Sequence, residues 1–322
     1  MKRIVCISLF IGMLATLKAQ DPAFSQFYAC PLYMNPALAG TTECGRLGLN
    51  YRLQFPGFDA FNNFAVTYDQ NLENINSGFG AQVTAFVPNK ISQYYNVNLF
   101  YSYQIRISKK FYMRAGLAGG LKLHDFRTAE IVLPDNTPGE GENLVDNLYY
   151  APDFSIGIYG TYDEKYYFGF SAAHFTSTFG IEGTNIEHFD NSFPIKLTAH
   201  GGADIAVGHR SGYSISPNFI YQYQAGFNNF CIGVYGNMKM ITTGLWYKTN
   251  VKFVSPDVNS HGICALVGIS FDKINVGYSY DCYLSGVGLK SLGAHEVSLQ
   301  WNFCVYTGTQ KRVIKAIKSP RF

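Results

Sequence analysis

The chain has 322 residues, of which 47% are hydrophobic, 16% aromatic and only 15% charged, against about 25% charged in an average soluble domain. So aromatic and weakly charged a chain does not stay solvated and unfolded, which excludes disorder. A mean hydropathy of −0.02, with no later apolar run of about 18 residues, excludes a bundle of membrane helices and leaves an aromatic, glycine-rich, all-β protein.

The opening residues have the layout of a secretory signal peptide. Lys2 and Arg3 precede an apolar run from Ile4 to Leu17, and Ala19 supplies a small residue at a cleavage point. Residues 1–19 are expected to be removed, so that Gln20 opens the mature chain. The removed piece carries Lys2, Arg3 and Lys18 and no acid, which leaves 22 of the 25 basic residues against 22 acidic ones. A neutral mature chain with no basic aromatic patch speaks against nucleic acid as a partner.

Residues 20–44 follow, rich in prolines (Pro22, Pro31, Pro36) and aromatics (Phe24, Phe27, Tyr28, Tyr33) without alternation. This pattern predicts an ordered segment, either an arm packed on the periplasmic rim or a plug folded into a barrel. Cys30 and Cys44 lie in it, and an exported chain is able to pair them. Cys231, Cys264, Cys282 and Cys304 fall in predicted strands as small packing residues. No C-x-x-C pair is present, so no structural zinc is expected, nor any cofactor.

From Gly45 to about residue 305 the sequence alternates with period two. Tyr95, Val97, Leu99, Tyr101, Tyr103, Ile105 and Ile107 share one face, and Asn96, Asn98, Phe100, Ser102, Gln104 and Arg106 the other. Val297, Leu299, Trp301 and Phe303 alternate with Ser298, Gln300, Asn302 and Cys304 in the same way. One apolar face with aromatic ends, and another that is polar but weakly charged, is the signature of a lipid-facing barrel rather than of a soluble sandwich. About fourteen strands are predicted, near 45–55, 62–71, 78–88, 93–107, 111–123, 152–162, 166–175, 195–207, 213–223, 228–238, 240–248, 261–271, 273–283 and 294–305. Links after even-numbered strands are mostly short (108–110, 163–165, 208–212, 272–273), whereas long ones (124–151, 176–194, 249–260, 284–293) follow odd-numbered strands. Short periplasmic turns and long outer loops alternate in this way in outer-membrane barrels. The segments 71–77 and 224–227 depart from that rhythm. The tail, residues 306–322, carries Lys311, Arg312, Lys315, Lys318 and Arg321 with no acid. By strand parity it is periplasmic, either solvated or in contact with an acidic partner.

Alternation directs Asp281 and Glu296 into the lumen near one outer loop, on adjacent strands. Two carboxylates there require basic partners, from Lys290 in that loop or from another lumenal residue. Further lumenal ionisable residues by the same rule are Arg106, Arg114, Lys122, His124, Lys196, His200 and Asp204. They suit salt-linked rungs or a polar pore. Enzyme signatures are missing. His295 and Glu296 resemble the start of a zinc-protease motif, but Leu299 stands where its second histidine belongs. Neither Gly-x-Ser-x-Gly nor Gly-x-Gly-x-x-Gly occurs, and no catalytic residue is assigned.

Residues 24–28 (FSQFY), 32–40 (LYMNPALAG), 51–56 (YRLQFP), 277–281 (GYSYD) and 293–299 (GAHEVSL) together resemble the PorP/SprF family. Phe55 and Ala294 are mild departures, where the family often has Trp and Ser. The resemblance implies an outer-membrane barrel of the type IX secretion system, non-enzymatic, which works with periplasmic secretion subunits. It further implies a role in secretion or surface anchoring of large proteins with a C-terminal signal domain, including gliding adhesins. Such a barrel is similar to long-chain fatty-acid transporters, whose N-terminal hatch also carries Asn-Pro-Ala. Asn35, Pro36 and Ala37, followed by Gly40, thus favour the plug over the rim arm. The alternative functions are transport of hydrophobic solutes and, less favoured, a barrel hydrolase.

Overall fold

The computed structural model describes residues 21–42, 45–58, 60–89, 92–127, 147–175, 194–207, 212–252, 260–285 and 288–303. The expected signal peptide, most of the links 124–151 and 176–194, Cys44, Cys304 and the tail 306–322 lie outside these residues.

Fourteen strands form one antiparallel sheet. They are β1 (Gly45–Gln54), β2 (Phe61–Leu72), β3 (Ser77–Val87), β4 (Ser92–Arg106), β5 (Phe111–Phe126), β6 (Asn147–Tyr162) and β7 (Tyr166–Ala173). Next come β8 (Lys196–Ala203, continued beyond Asp204 as Ile205–Ala206), β9 (Tyr213–Gln224), β10 (Phe227–Met238), β11 (Ile241–Lys252), β12 (Ser260–Phe271), β13 (Ile274–Tyr283) and β14 (Ala294–Phe303). Each pairs with its sequence neighbour, and β14 returns to β1 in a register from Gly45↔Phe303 to Gln54↔Ala294, so the barrel is closed. The predicted strands are therefore present in number and order.

Three local differences have physical reasons. β6 begins at Asn147 rather than 152. Pro152 lacks the N–H that a ladder needs, yet it is accommodated opposite Leu121 on β5. The break in β8 at Asp204 falls beside Pro217 of β9, which likewise has no N–H to give. The register is the same on both sides of the gap (Gly202↔Asn218, Ile205↔Ile215). The tight link between β9 and β10 is a two-residue turn with positive φ at Ala225 (55°) and Gly226 (81°), the hairpin geometry that follows strand twist. It needs no long outer loop.

The outward face is apolar across its middle. Leu99 on β4 and Leu117 on β5 expose 56% and 58% of their surfaces, as do their alternate neighbours to similar degrees. A closed barrel whose exterior is Leu, Ile, Val and Phe cannot face water and must face lipid. Tyr162, Tyr166 and Trp301 stand exposed at the short-turn ends of their strands, the periplasmic side in barrels of this kind, and Tyr51, Tyr223 and Tyr247 in the opposite halves. Amphipathic rings of this kind suit the two membrane interfaces.

The interior is where alternation alone misleads. Inward positions were expected to be polar or tiny, but Tyr159, Ile220, Tyr235, Trp246 and Leu266 also point inward. They form a core with Phe27, Tyr28, Met34, Ala37 and Leu38 of the N-terminal segment. Residues 21–42 run inside the barrel, and the tiny inward residues make room for them. A Cβ at Gly78 would come within 2.2 Å of the Ala39 carbonyl oxygen, and one at Gly116 within 2.3 Å of the Ala37 nitrogen.

Candidate functional site

The N-terminal segment is held by polar groups from the strands around it. A single helical turn, α1 (Pro31–Met34), is followed by a 3-10 turn, Pro36–Leu38. Asn35 caps the second turn: its side-chain oxygen accepts from the Ala37 N–H at 2.9 Å, the ordinary role of Asn ahead of a proline-led helix. Its amide nitrogen reaches the wall, donating to the carbonyls of Ile158 (2.9 Å) on β6 and Phe170 (3.3 Å) on β7 and lying 3.1 Å from His200 Nε2 on β8. Ala37 is fully buried against Gly116, a contact that no larger side chain could keep. Gly40 has φ +66° and donates its N–H to Asp69 at 2.8 Å. Asp69 is in turn gripped by Arg46 through two bonds of 2.8 and 3.1 Å. Arg114 donates to the Ala39 carbonyl and to Gln104.

Asp281 on β13 and Glu296 on β14 both point inward, in one buried network with the N-terminal segment. Arg52 of β1 lies between them, 2.6 Å from Asp281 and 3.3 Å from Glu296. Lys248 of β11 pairs with Asp281 at 3.0 Å. Glu296, fully buried, accepts the backbone N–H groups of Ser25 (2.6 Å) and Gln26 (3.1 Å). The Ser25 hydroxyl donates to Asp281. The carboxylates therefore tie down the N-terminal segment, and their cations are Arg52 and Lys248. Lys290, the partner first considered, is exposed in the 3-10 turn Gly288–Ser291. His295 faces the other way from Glu296, bonding Tyr278 on the outer surface at 2.8 Å, as the strand period requires.

A second network holds the start of the described chain. Asp21 lies 2.6 Å from His174 Nε2 and 2.9 Å from Lys196, with Lys122 at 3.8 Å. His174 Nδ1 rests on Asp153 at 3.0 Å. Burial pushes the Asp21 carboxyl up, but the positive charges of His174, Lys122 and Lys196 together outweigh it and hold the carboxyl well below the usual range. Cys30 is a buried thiol with no disulfide partner among the described residues, pushed up to about 12 by burial.

Among the ionisable residues singled out by alternation, Lys122, Lys196, Arg114 and His200 touch the segment. Asp204 instead takes a bond from Ser216, and Arg106 is exposed at the end of β4. Sequence reasoning passed over Arg46, Arg52, Asp69, Asp153, Lys248 and Asp21. Their inward parity was available as a signal for all but Asp21, which belongs to no strand.

The outer mouth has its own feature, also missed. Inward-facing rings stand in contact from strand to strand: Tyr283 with Phe55 (5.1 Å between centroids), Phe55 with Phe61 (5.7 Å), Phe61 with Phe86 (6.3 Å), Phe86 with Tyr94 (6.0 Å) and Tyr94 with His124 (4.1 Å). This aromatic ledge lines part of the inner rim.

Solved structures share the architecture. The chain is similar to the Ralstonia pickettii toluene transporter TbuX (10% identity, TM-score 0.52, covering 85% of this chain and 94% of that one). It is also similar to the CymD monoaromatic hydrocarbon channel (10% identity, TM-score 0.55, 86% and 93%). At such identities the likeness is one of fold, that of an outer-membrane barrel. No curated protein matches the chain at a significant level. The family described as "Type IX secretion system membrane protein PorP/SprF" matches residues 16–301, nearly the whole barrel together with the segment inside it. The chain belongs to the PorP/SprF family and is an outer-membrane component of type IX secretion.

Proposed function

We propose that this barrel is a non-enzymatic partner protein of type IX secretion, which binds large exported proteins bearing a C-terminal signal domain and supports their secretion or anchoring at the surface. The family assignment over residues 16–301 carries the proposal. A lumen occupied by residues 21–42, bonded to strands around most of the wall, supports it too, since a filled barrel suits a docking part better than an open conduit. On this reading residues 1–19 are the cleaved signal peptide, 20–44 the plug, 45–305 the barrel, and 306–322 a basic periplasmic tail. Asn35, Pro36, Ala37 and Gly40 are plug-fixing residues, and Asp281 and Glu296 its outer anchor. Deleting the gene abolishes surface display of a few large proteins while membrane integrity stays normal; normal display of every surface protein in the deletion strain refutes the proposal. Hydrophobic-solute transport is the competing reading, favoured by an apolar pocket at the outer mouth. It requires uptake that falls in the same strain.

A further inference from the structure

A pocket with an empty volume of about 600 Å³, its mouth included, opens between the N-terminal segment and the outer ends of β2 to β5. Its walls are mainly apolar: Phe24 and Tyr33 from the segment, Phe86 and Tyr94 from the aromatic ledge. Its two charged groups, Asp21 and Lys122, face each other as an ion pair, so the space suits a neutral occupant.

One group in this lining is out of place. Asn63, 1% exposed on β2, has neither its amide nitrogen nor its amide oxygen bonded among the described residues. The side-chain oxygen of Asn96, also in the lining, is unbonded too. Buried polar groups are nearly always paired, and an orphan at a functional site points to a missing partner. A carboxamide offers a donor and an acceptor in one plane, which matches the N–H and C=O of a main-chain peptide group. A hydrocarbon would leave Asn63 unpaired, whereas a peptide satisfies the carboxamide and the apolar walls at once.

We infer that this pocket receives an apolar side chain of an exported polypeptide, with Asn63 hydrogen-bonding the adjoining main-chain amide. The inference rests on the partner role proposed above and gives it a location. The ledge running from the pocket through Tyr94 and His124 then provides a surface along which neighbouring side chains pack, as aromatic residues do at the centres of protein interfaces.

The test uses the full-length tagged barrel in its own cells, gently solubilised. Asn63→Leu keeps the volume and removes the amide. Asn50→Leu is the matched control, because Asn50 is also a buried inward amide with both atoms unbonded among the described residues, but lies outside the pocket. Both substitutions delete an unpaired polar group, so neither should harm folding, which heat-modifiability on a gel checks directly. In a third strain a photoreactive benzoylphenylalanine replaces Tyr94, and its adducts are mapped by tandem mass spectrometry. The expected result is at least a tenfold loss of the co-purifying exported protein with a C-terminal signal domain in Asn63→Leu, no loss in Asn50→Leu, and an adduct on an apolar stretch of that same protein. Equal retention by the two variants overturns the pocket while leaving the partner role standing. Absence of any such protein from the wild-type barrel overturns both. An adduct on lipid or saccharide alone assigns the pocket elsewhere and overturns the inference.

Discussion

Replacing Arg52 with Met tests the buried outer network most directly. Met keeps much of the length of the side chain and removes its charge. Asp281 retains Lys248 at 3.0 Å, but fully buried Glu296 is left, among the described residues, with the Ser25 and Gln26 N–H groups. Removing one partner of a buried ion pair costs about 3–5 kcal/mol, and because Asp281 keeps a cation the expected loss is near the lower end, about 3 kcal/mol. Glu296→Gln on top of Arg52→Met removes the stranded charge and should recover about 1–2 kcal/mol, so the two changes are strongly non-additive. The assay is denaturant unfolding of the barrel in lipid, followed by the fluorescence of Trp246, which is buried 5.3 Å from the Phe27 ring, in a Trp301→Phe background. A cost below about 1 kcal/mol for Arg52→Met, or additivity in the double variant, refutes the view that these charges act as one unit.

Three further perturbations probe other parts of the molecule. Gly116→Val places a side chain where Ala37 sits and should dislodge the inner segment, giving conductance steps in planar bilayers that the wild type lacks; unchanged conductance refutes the packing account. Leu99→Arg at mid-strand should cost about 2–4 kcal/mol in lipid, measured by the same unfolding assay, whereas no cost would mean that this face does not meet the bilayer. The Asp21 carboxyl is depressed below its ordinary 3.8, so its contribution is present above that pH and is lost as pH falls through the lower folded value. Asp21→Asn should therefore lower stability at pH 5–8 and flatten the acid limb of the wild-type curve, and parallel acid limbs contradict this.

Much of the barrel was legible because strand alternation is a local property. Whether Leu99 or Asn98 faces lipid depends only on parity, and fourteen such stretches define the wall. Parity also turned Asp281 and Glu296 inward. Their cations were hidden because Arg52 is brought beside Glu296 only by closure of β1 onto β14, and Lys248 approaches from two strands away. The same limit applies to Trp246 and Tyr235. Alternation places them inward but cannot say that Phe27 and Tyr28 will be there to meet them. The strand ends erred where a general rule was overridden, as at Pro152, whose missing N–H the long β5–β6 hairpin tolerates.

The network around Ser25 also has a consequence for how the molecule is assembled. The seam of the barrel lies between β1 and β14, and Arg52 on one side and Glu296 on the other both bond Ser25, which is 271 residues from Glu296. Contacts so distant in sequence are slow to form, and here they tie the inner segment to both sides of the seam. The N-terminal segment thus rivets the seam that it lies behind. Closure of the seam and capture of the segment are therefore coupled in energy: losing the segment removes bonds from both of the strands that close the barrel.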